Sequence, residues 1–221
     1  DYLYNLNHYN KIIDQRNRLL KDIVRFPEMW DTLDVWDEQL VSYGRKIIER
    51  RSGFINSLNE IVGGLHEKLS GGREKLVLSY EPNTDAVSFP DRLRDARDRD
   101  CYLKQTTTGP HRDDFSFFNA DIDLRKFGSQ GQQRTCALSL KLSEIEIVRQ
   151  LTGDRPVLML DDVLSELDSR RQNYLLDTIG DIQTFITCTG LDEFVNHRFA
   201  IDTLYRIEAG KVSRMSGPAV P

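Results

Sequence analysis

Apolar residues recur at spacings of three, four and seven near the start of the chain, at Tyr2, Leu6, Tyr9, Ile13, Leu20 and Ile23. That period puts them on one stripe of a helix over residues 1 to about 25, with Arg16, Arg18 and Lys21 on its other faces. Phe26-Pro27 ends the helix, because proline offers no amide and disfavours helical backbone just before it. A longer helix follows, with Asp31 or Thr32 as its N-cap. Leu33, Trp36, Leu40, Tyr43 and Ile47 alternate by three and four, and Phe54, Leu58, Ile61 and Leu65 continue that seam past the polar Arg50 and Arg51. Ser70-Gly71-Gly72 stops it. Two seamed helices joined by a short proline turn predict an antiparallel helical hairpin. An ordinary helical bundle satisfies the pattern equally well.

Beyond Gly72 the periodicity changes. Residues 75–80 read as a strand and 90–99 as a highly charged helix. Residues 115–118 and 122–124 form a predicted β-hairpin around Asn119-Ala120-Asp121. A long helix is expected over 130–151, a buried strand over 157–160, a helix over 170–179 and a strand over 184–187. Residues 200–206 and 211–215 make a closing hairpin, and 217–221 a loose tail. Strands alternating with helices predict an α/β layer structure. The reading divides the chain into a helical arm, 1–72, and an α/β lobe, 73–221.

Hydrophobic residues make up 39% and charged residues 29% of the 221, enough for a core and far from a disordered composition. The net charge of -5 excludes a uniformly basic nucleic-acid glove and leaves a local patch, a dimer groove or a further segment as the means of touching DNA. Cys101, Cys136 and Cys188 share no CxxC spacing, which argues against a zinc site or a disulfide framework and for a reducing cytoplasm. No stretch approaches the roughly 18 apolar residues of a membrane span. The N-terminus has no signal-peptide layout and opens in mid-helix pattern, so a front truncation is expected.

Three constellations carry candidate chemistry. In Phe127-Gly128-Ser129-Gln130-Gly131-Gln132-Gln133-Arg134, glycines flank a serine at a helix start, where free amides and the positive dipole end suit a phosphate. A Ser-capped helix with no ligand is the plainer reading. In Pro156-Val157-Leu158-Met159-Leu160-Asp161-Asp162, an apolar strand ends in two carboxylates. The first is placed to hold Mg²⁺ and the second to polarise a water. An ordinary strand ending in solvated acids has the same pattern. Leu164-Ser165-Glu166-Leu167-Asp168 is, by itself, a capped turn. The order of the three matches the second lobe of an ABC-type ATPase head: signature loop, signature helix, Walker B strand and D-loop.

Those motifs, together with Thr108-Gly109-Pro110-His111-Arg112-Asp113-Asp114-Phe115 and the arm segments 9–21 and 36–40, resemble the RecF family over residues 2 to about 207. RecF proteins are bacterial recombination mediators related to the SMC proteins. The resemblance implies an α/β fold comprising the C-terminal lobe of an ABC-type ATPase head and an antiparallel helical-hairpin arm. It implies ATP and Mg²⁺ bound between two heads of a homodimer, and roles in DNA replication, repair and the SOS response in the cytoplasm. Implied partners are double-stranded and gapped DNA and the RecO and RecR proteins. By the same resemblance Asp161 is the Mg²⁺-linked acid, and Asp162 stands where many ABC ATPases carry a catalytic glutamate. Ser129, Gln130, Gly131 and Gln132 face the nucleotide of the partner subunit, and Asp168 lies across the dimer seam. The γ-phosphate switch position falls near Cys188-Thr189, without the usual histidine. Arg112 is assigned either to DNA or phosphate, or to an Arg–Asp network closing the arm onto the head.

No G-x-x-x-x-G-K-[ST] occurs in the chain, and Gly71-Gly72-Arg73-Glu74-Lys75 has the wrong spacing. In RecF the P-loop lies ahead of the arm, so these residues alone are expected to bind no nucleotide tightly. The competing readings are a non-catalytic dimerisation module and another SMC-like head, whose coiled coils are far longer.

Overall fold

The computed structural model describes residues 1–180, 182–189 and 201–215. Helix α1 spans Tyr2–Ile23, a 3₁₀ turn starts at Pro27, and α2 spans Leu33–Ser70. Contacts climb one helix as they descend the other: Tyr2 with Arg51, Arg16 with Asp37, and Leu19, Leu20 and Ile23 with Leu33. The hairpin is therefore antiparallel. Its seam is not one continuous heptad track. Leu33, Leu40 and Ile47 are buried at seven-residue steps, but Leu58 and Leu69 follow at eleven-residue steps. Eleven residues make three turns of a slightly wider period than the heptad, so the buried face shifts partway along the helix. Phe54 is consequently exposed, and Val62 and His66 take the inward positions expected of Ile61 and Leu65.

The chain forms two compact units, residues 1–67 with 71–144, and residues 68–70 with 145–221. In the first, strand β1 (Leu76–Glu81) pairs antiparallel with β2 (Asp114–Asn119), and β2 with the short β3 (Ile122–Asp123). The expected hairpin turn is present at Ala120-Asp121, but Leu124 opens a helical turn, α5 (Leu124–Phe127), instead of extending the strand. The Asn59 side chain of α2 both donates to Leu78 O (2.7 Å) and accepts from Leu78 N (2.8 Å), closing the free edge of β1 as a neighbouring strand would.

The charged segment at 90–99 is two helices, α3 (Phe89–Asp95) and α4 (Arg97–Leu103), broken at Ala96. The break lets Phe89 and Leu93 join Tyr9, Ile12, Leu40, Ile47 and Ile48 in one core while Asp100 points inward elsewhere. Arg16 is wholly buried, donating to Asp37 (2.6 Å), Asp100 (2.7 Å) and Thr106 (2.9 Å), and Arg97 reaches the other oxygen of Asp37 (2.8 Å). This network corrects the expectation that Arg16 lies on an outer face. It is also why the compact division does not fall at residue 72: the arm and residues 76–124 share a core.

Helix α6 spans Gln130–Thr152, as its period predicted. In the second unit β4 (Leu158–Asp161), α7 (Ser169–Ile179) and β5 (Thr184–Thr187) form a βαβ crossover with parallel strands, Asp161 opposite Thr187. The strand is buried on one face only. Leu160 is inside, but Met159 is 80% exposed, because among the described residues β4 and β5 pair only with each other and nothing covers their outer face. Strands β6 (Leu204–Glu208) and β7 (Lys211–Met215) form the closing hairpin. Residues 200 and 217–221 lie outside the described residues.

Replacing Arg16 leaves two buried carboxylates facing one another's charge. Arg16→Ala is expected to lower the unfolding free energy by about 3–5 kcal/mol in urea titration, against less than about 0.5 kcal/mol for the exposed Lys11→Ala. Equal losses for the two would refute the network as a stabilising element.

Candidate functional site

The start of α6 is a reciprocal capping box. Ser129 Oγ accepts from Gln132 N (3.3 Å), and Gln132 Oε1 accepts from Ser129 N (2.9 Å). Gly128 is required by close approach: a Cβ there would lie 2.5 Å from Leu124 O, against the turn of α5. The box satisfies the Ser129 and Gln132 amides. The first-turn amides of Gln130 and Gly131 belong to the group that a helix start cannot satisfy internally. Gln130 and Gly131 are both exposed, and space is open around Gly131. The plain reading, a capped helix, and the anion-site reading thus coexist: Ser129 and Gln132 shape the helix start, while Gln130 and Gly131 are left facing out.

Asp161 and Asp162 end β4 in the second unit. Thr187 Oγ1 donates to Asp161 Oδ1, and Asp162 N donates to Thr187 O (3.2 Å) and Thr187 Oγ1 (3.1 Å). Asp162 adopts φ +51°, a left-handed conformation uncommon outside glycine and tolerated best by Asn and Asp. Such strain is held only where neighbours over-determine it, and it gathers at working sites. Both carboxylates are exposed. The donor set suits a hard cation shared with phosphate oxygens: one carboxylate at a strand end, with no further acid cage. Among the described residues no group of three or more His, Cys, Asp or Glu forms a self-sufficient metal site. Thr187 was missed in the sequence. Its signal was positional, since it ends the strand parallel to the one carrying Asp161, one residue before the expected switch position at Cys188-Thr189.

Asp168 caps α7, accepting from Arg171 N (3.0 Å) and pairing with Arg171 Nη1 (2.8 Å). Its carboxylate serves its own helix. The signature-like residues belong to the first unit and Asp161, Asp162 and Asp168 to the second.

The His111–Asp114 motif has a clear physical task. Burial pushes His111 below its ordinary value, so it is neutral at pH 7. A carbonyl can only accept, so Nε2–H donates to Thr106 O (3.0 Å), and Nδ1 accepts from Tyr9 OH (2.8 Å). Asp113 receives Arg51 Nη1 (2.8 Å), Tyr80 OH and Asn83 N (2.9 Å). Burial, then the Asp113 contact, pushes the Tyr80 phenol up. Gly109 has φ +135°, and a Cβ there would meet Tyr9 Oη at 2.3 Å. Only glycine lets this loop cross the ring. Arg112, between the two anchored residues, is exposed, and its side chain makes no hydrogen bond or ion pair among the described residues. The network predicted for this motif exists, but it is made by Arg51 and Asp113, not by Arg112. Arg45 donates to Ala86 O, and Arg51 to Tyr2, Pro110 O and Asp113. Arg18, Lys21 and Arg50 stay exposed.

No family model matches the chain. It is similar to the DNA replication and repair protein RecF of Agathobacter rectalis, 59% identical over 211 residues, covering 96% of this chain and 58% of that protein. RecF of Lachnoclostridium phytofermentans is 53% identical over 213 residues, with 96% and 59% covered. Among solved structures, the recombination mediator protein RecF with ATP, of the RecFOR pathway, superposes with a TM-score of 0.86 at 36% identity over 97% of this chain and 58% of that one. RecF with ATPrS gives a TM-score of 0.84 at 35% identity, with 97% and 59% covered. The chain therefore spans a little under three fifths of the length of the relatives it matches.

The neutral, half-buried His111 makes stability depend on pH. The unfolded chain gains a proton near pH 6.5, whereas the folded chain resists it to a lower pH. The contribution is full above about pH 6.5 and drains as pH falls through the lower native value. Urea midpoints are expected to drop between pH 7.5 and 5.5, and His111→Gln to flatten that drop. An unchanged slope in the variant would count against His111 as its source.

Proposed function

The chain belongs to the RecF family of bacterial DNA replication and repair proteins, and from that premise we propose that it supplies one half of a composite ATP site formed between two heads of a homodimer. The reading rests most on the exposed, strained Asp162 beside Asp161, held by Thr187 at the end of a parallel strand. Asp161 would hold Mg²⁺, whose charge offsets that of the phosphates when bound. Asp162 orients and deprotonates the attacking water, with its backbone fixed by Thr187. Gln130 and Gly131 turn helix-start amides toward the γ-phosphate of the nucleotide on the other head, and Ser129 and Gln132 hold that turn in shape. The proposed D-loop residue Asp168 keeps its own helix start rigid at the seam.

DNA is the proposed polymer partner, with gapped duplexes the preferred form and RecO and RecR as protein partners in the cytoplasm. Arg112 is the candidate phosphate contact, because the His111 and Asp113 anchors present it as an exposed cation. Functionally the division is retained as an arm, 1–72, and a head lobe, 73–221. Among the described residues no helix is long and apolar enough to cross a membrane. One observation favours a non-catalytic dimerisation module instead: Ser129 and Asp168 are already used as helix caps.

Mg-ATP turnover decides between the two readings. In the full-length natural gene product, Ser129→Arg and Asp162→Asn are each expected to cut turnover about 100-fold. Turnover untouched by both supports the non-catalytic module. The 221 residues alone are expected to turn over no ATP, for want of a G-x-x-x-x-G-K-[ST] motif, and measurable turnover by them would refute that division of labour. Arg112→Glu is expected to weaken duplex binding regardless of sequence and to flatten its salt dependence. Binding with an unaltered salt slope would remove Arg112 from the DNA contact.

A further inference from the structure

A continuous chain of side chains runs from the last turns of α2 to the start of α6, all within the first compact unit. His66 is fully buried on α2, and its Nδ1 meets Ser139 Oγ (2.9 Å) on α6. Its Nε2–H donates to Glu74 Oε2 (3.1 Å), since a carboxylate can only accept. The other oxygen, Glu74 Oε1, accepts from Gln132 Nε2 (3.0 Å). The carbonyl of that same Gln132 amide accepts from Ser129 N (2.9 Å). An amide has one donor end and one acceptor end. With its N–H committed to Glu74, Gln132 has only one orientation in which it can close the capping box.

We propose that Glu74 and His66 are positioning residues that fix the orientation of Gln132 and so couple the base of the arm helix α2 to the phosphate-facing start of α6. This rests on the reading of that helix start as half of the ATP site. The Glu74 carboxylate is close to the helix from a second direction too. The Cys136 thiol on α6 is pushed up to about 12, first by burial and then by the negative charge of Glu74. Glu74 is thus a mostly buried acid, its side chain 16% exposed, shared between the arm base and the signature-like helix. A shift of the last turns of α2 would move His66, then Glu74, and release the Gln132 amide to rotate. The helix start would keep its sequence and lose its geometry. Anything that moves the arm therefore has a path to the nucleotide contact without touching nucleotide itself.

Two readouts test the coupling in the full-length natural gene product. NMR amide exchange at Ser129 and Gln132, without nucleotide, reads the capping box directly. Glu74→Ala is expected to speed both by about fivefold, the order of a lost helix cap. The exchanged pair, Glu74→Gln with Gln132→Glu, keeps the bond with donor and acceptor reversed and is expected to restore near-wild-type exchange. ATP-dependent dimerisation should follow the same order, weaker in Glu74→Ala and recovered in the exchanged pair. An unchanged urea midpoint in Glu74→Ala shows that the effect is not loss of fold. Exchange rates unmoved by Glu74→Ala, or not restored by the exchanged pair, overturn the coupling whatever the ATP site does. Dimerisation indifferent to Ser129→Arg overturns the composite-site reading instead, while the exchange rates still judge the Gln132 orientation.

Discussion

Arg16 is a fully buried cation, and the arrangement of the first unit follows from that constraint. A guanidinium buried without anions would cost several kcal/mol. Asp37 from the facing helix and Asp100 from α4 supply them at 2.6 and 2.7 Å. To bring Asp100 inward, the charged segment must break at Ala96 and turn. Asp100 also receives Thr107 N and Oγ1, at 2.9 and 2.6 Å, which sets the loop that carries His111 and Asp113. One buried cation, paired with two carboxylates, thereby orders the hairpin, α4 and the motif loop at once. Its Nη2 is left without a partner among the described residues, a cost set against the register that the planar fork imposes.

The two proposed half-sites follow a different logic. Both lie at the end of a regular element, where backbone groups run out of internal partners. At α6 this leaves outward amides, the feature proposed to meet an anion. At β4 it leaves exposed carboxylates, proposed to meet a cation and steadied by a threonine from the neighbouring strand. In each case a side chain that looks like a ligand group also shapes the turn: Ser129 and Gln132 at one, the left-handed Asp162 at the other. Shape and chemistry share residues because a helix start or strand end must first be held before it can hold anything else.

Much of this was legible from spacing alone. Helix α6, the strands and helix of the second unit and the closing hairpin lie within a residue or a few of their predicted bounds, since each is set by local period, caps and glycines. The seam of α2 departs from one heptad track because the helix meets two different neighbours, α1 along its first half and β1 and α6 along its second. Met159 looked buried because an apolar run does not say whether one or two layers cover a strand.

By itself, the sequence determined most of the elements, the order of the motifs and the family they resemble, because those depend on residues within a few turns of one another. Only the tertiary structure decided which charges turned inward. Arg16 and Asp100 are 84 residues apart, and nothing local distinguishes Arg16 from the solvated Arg18. The same holds for Asp113 with Arg51, for Thr187 with Asp161, and for Glu74 between His66 and Gln132. A polar side chain takes its role from the partner that packing brings to it, and the chain's local pattern carries no record of that partner.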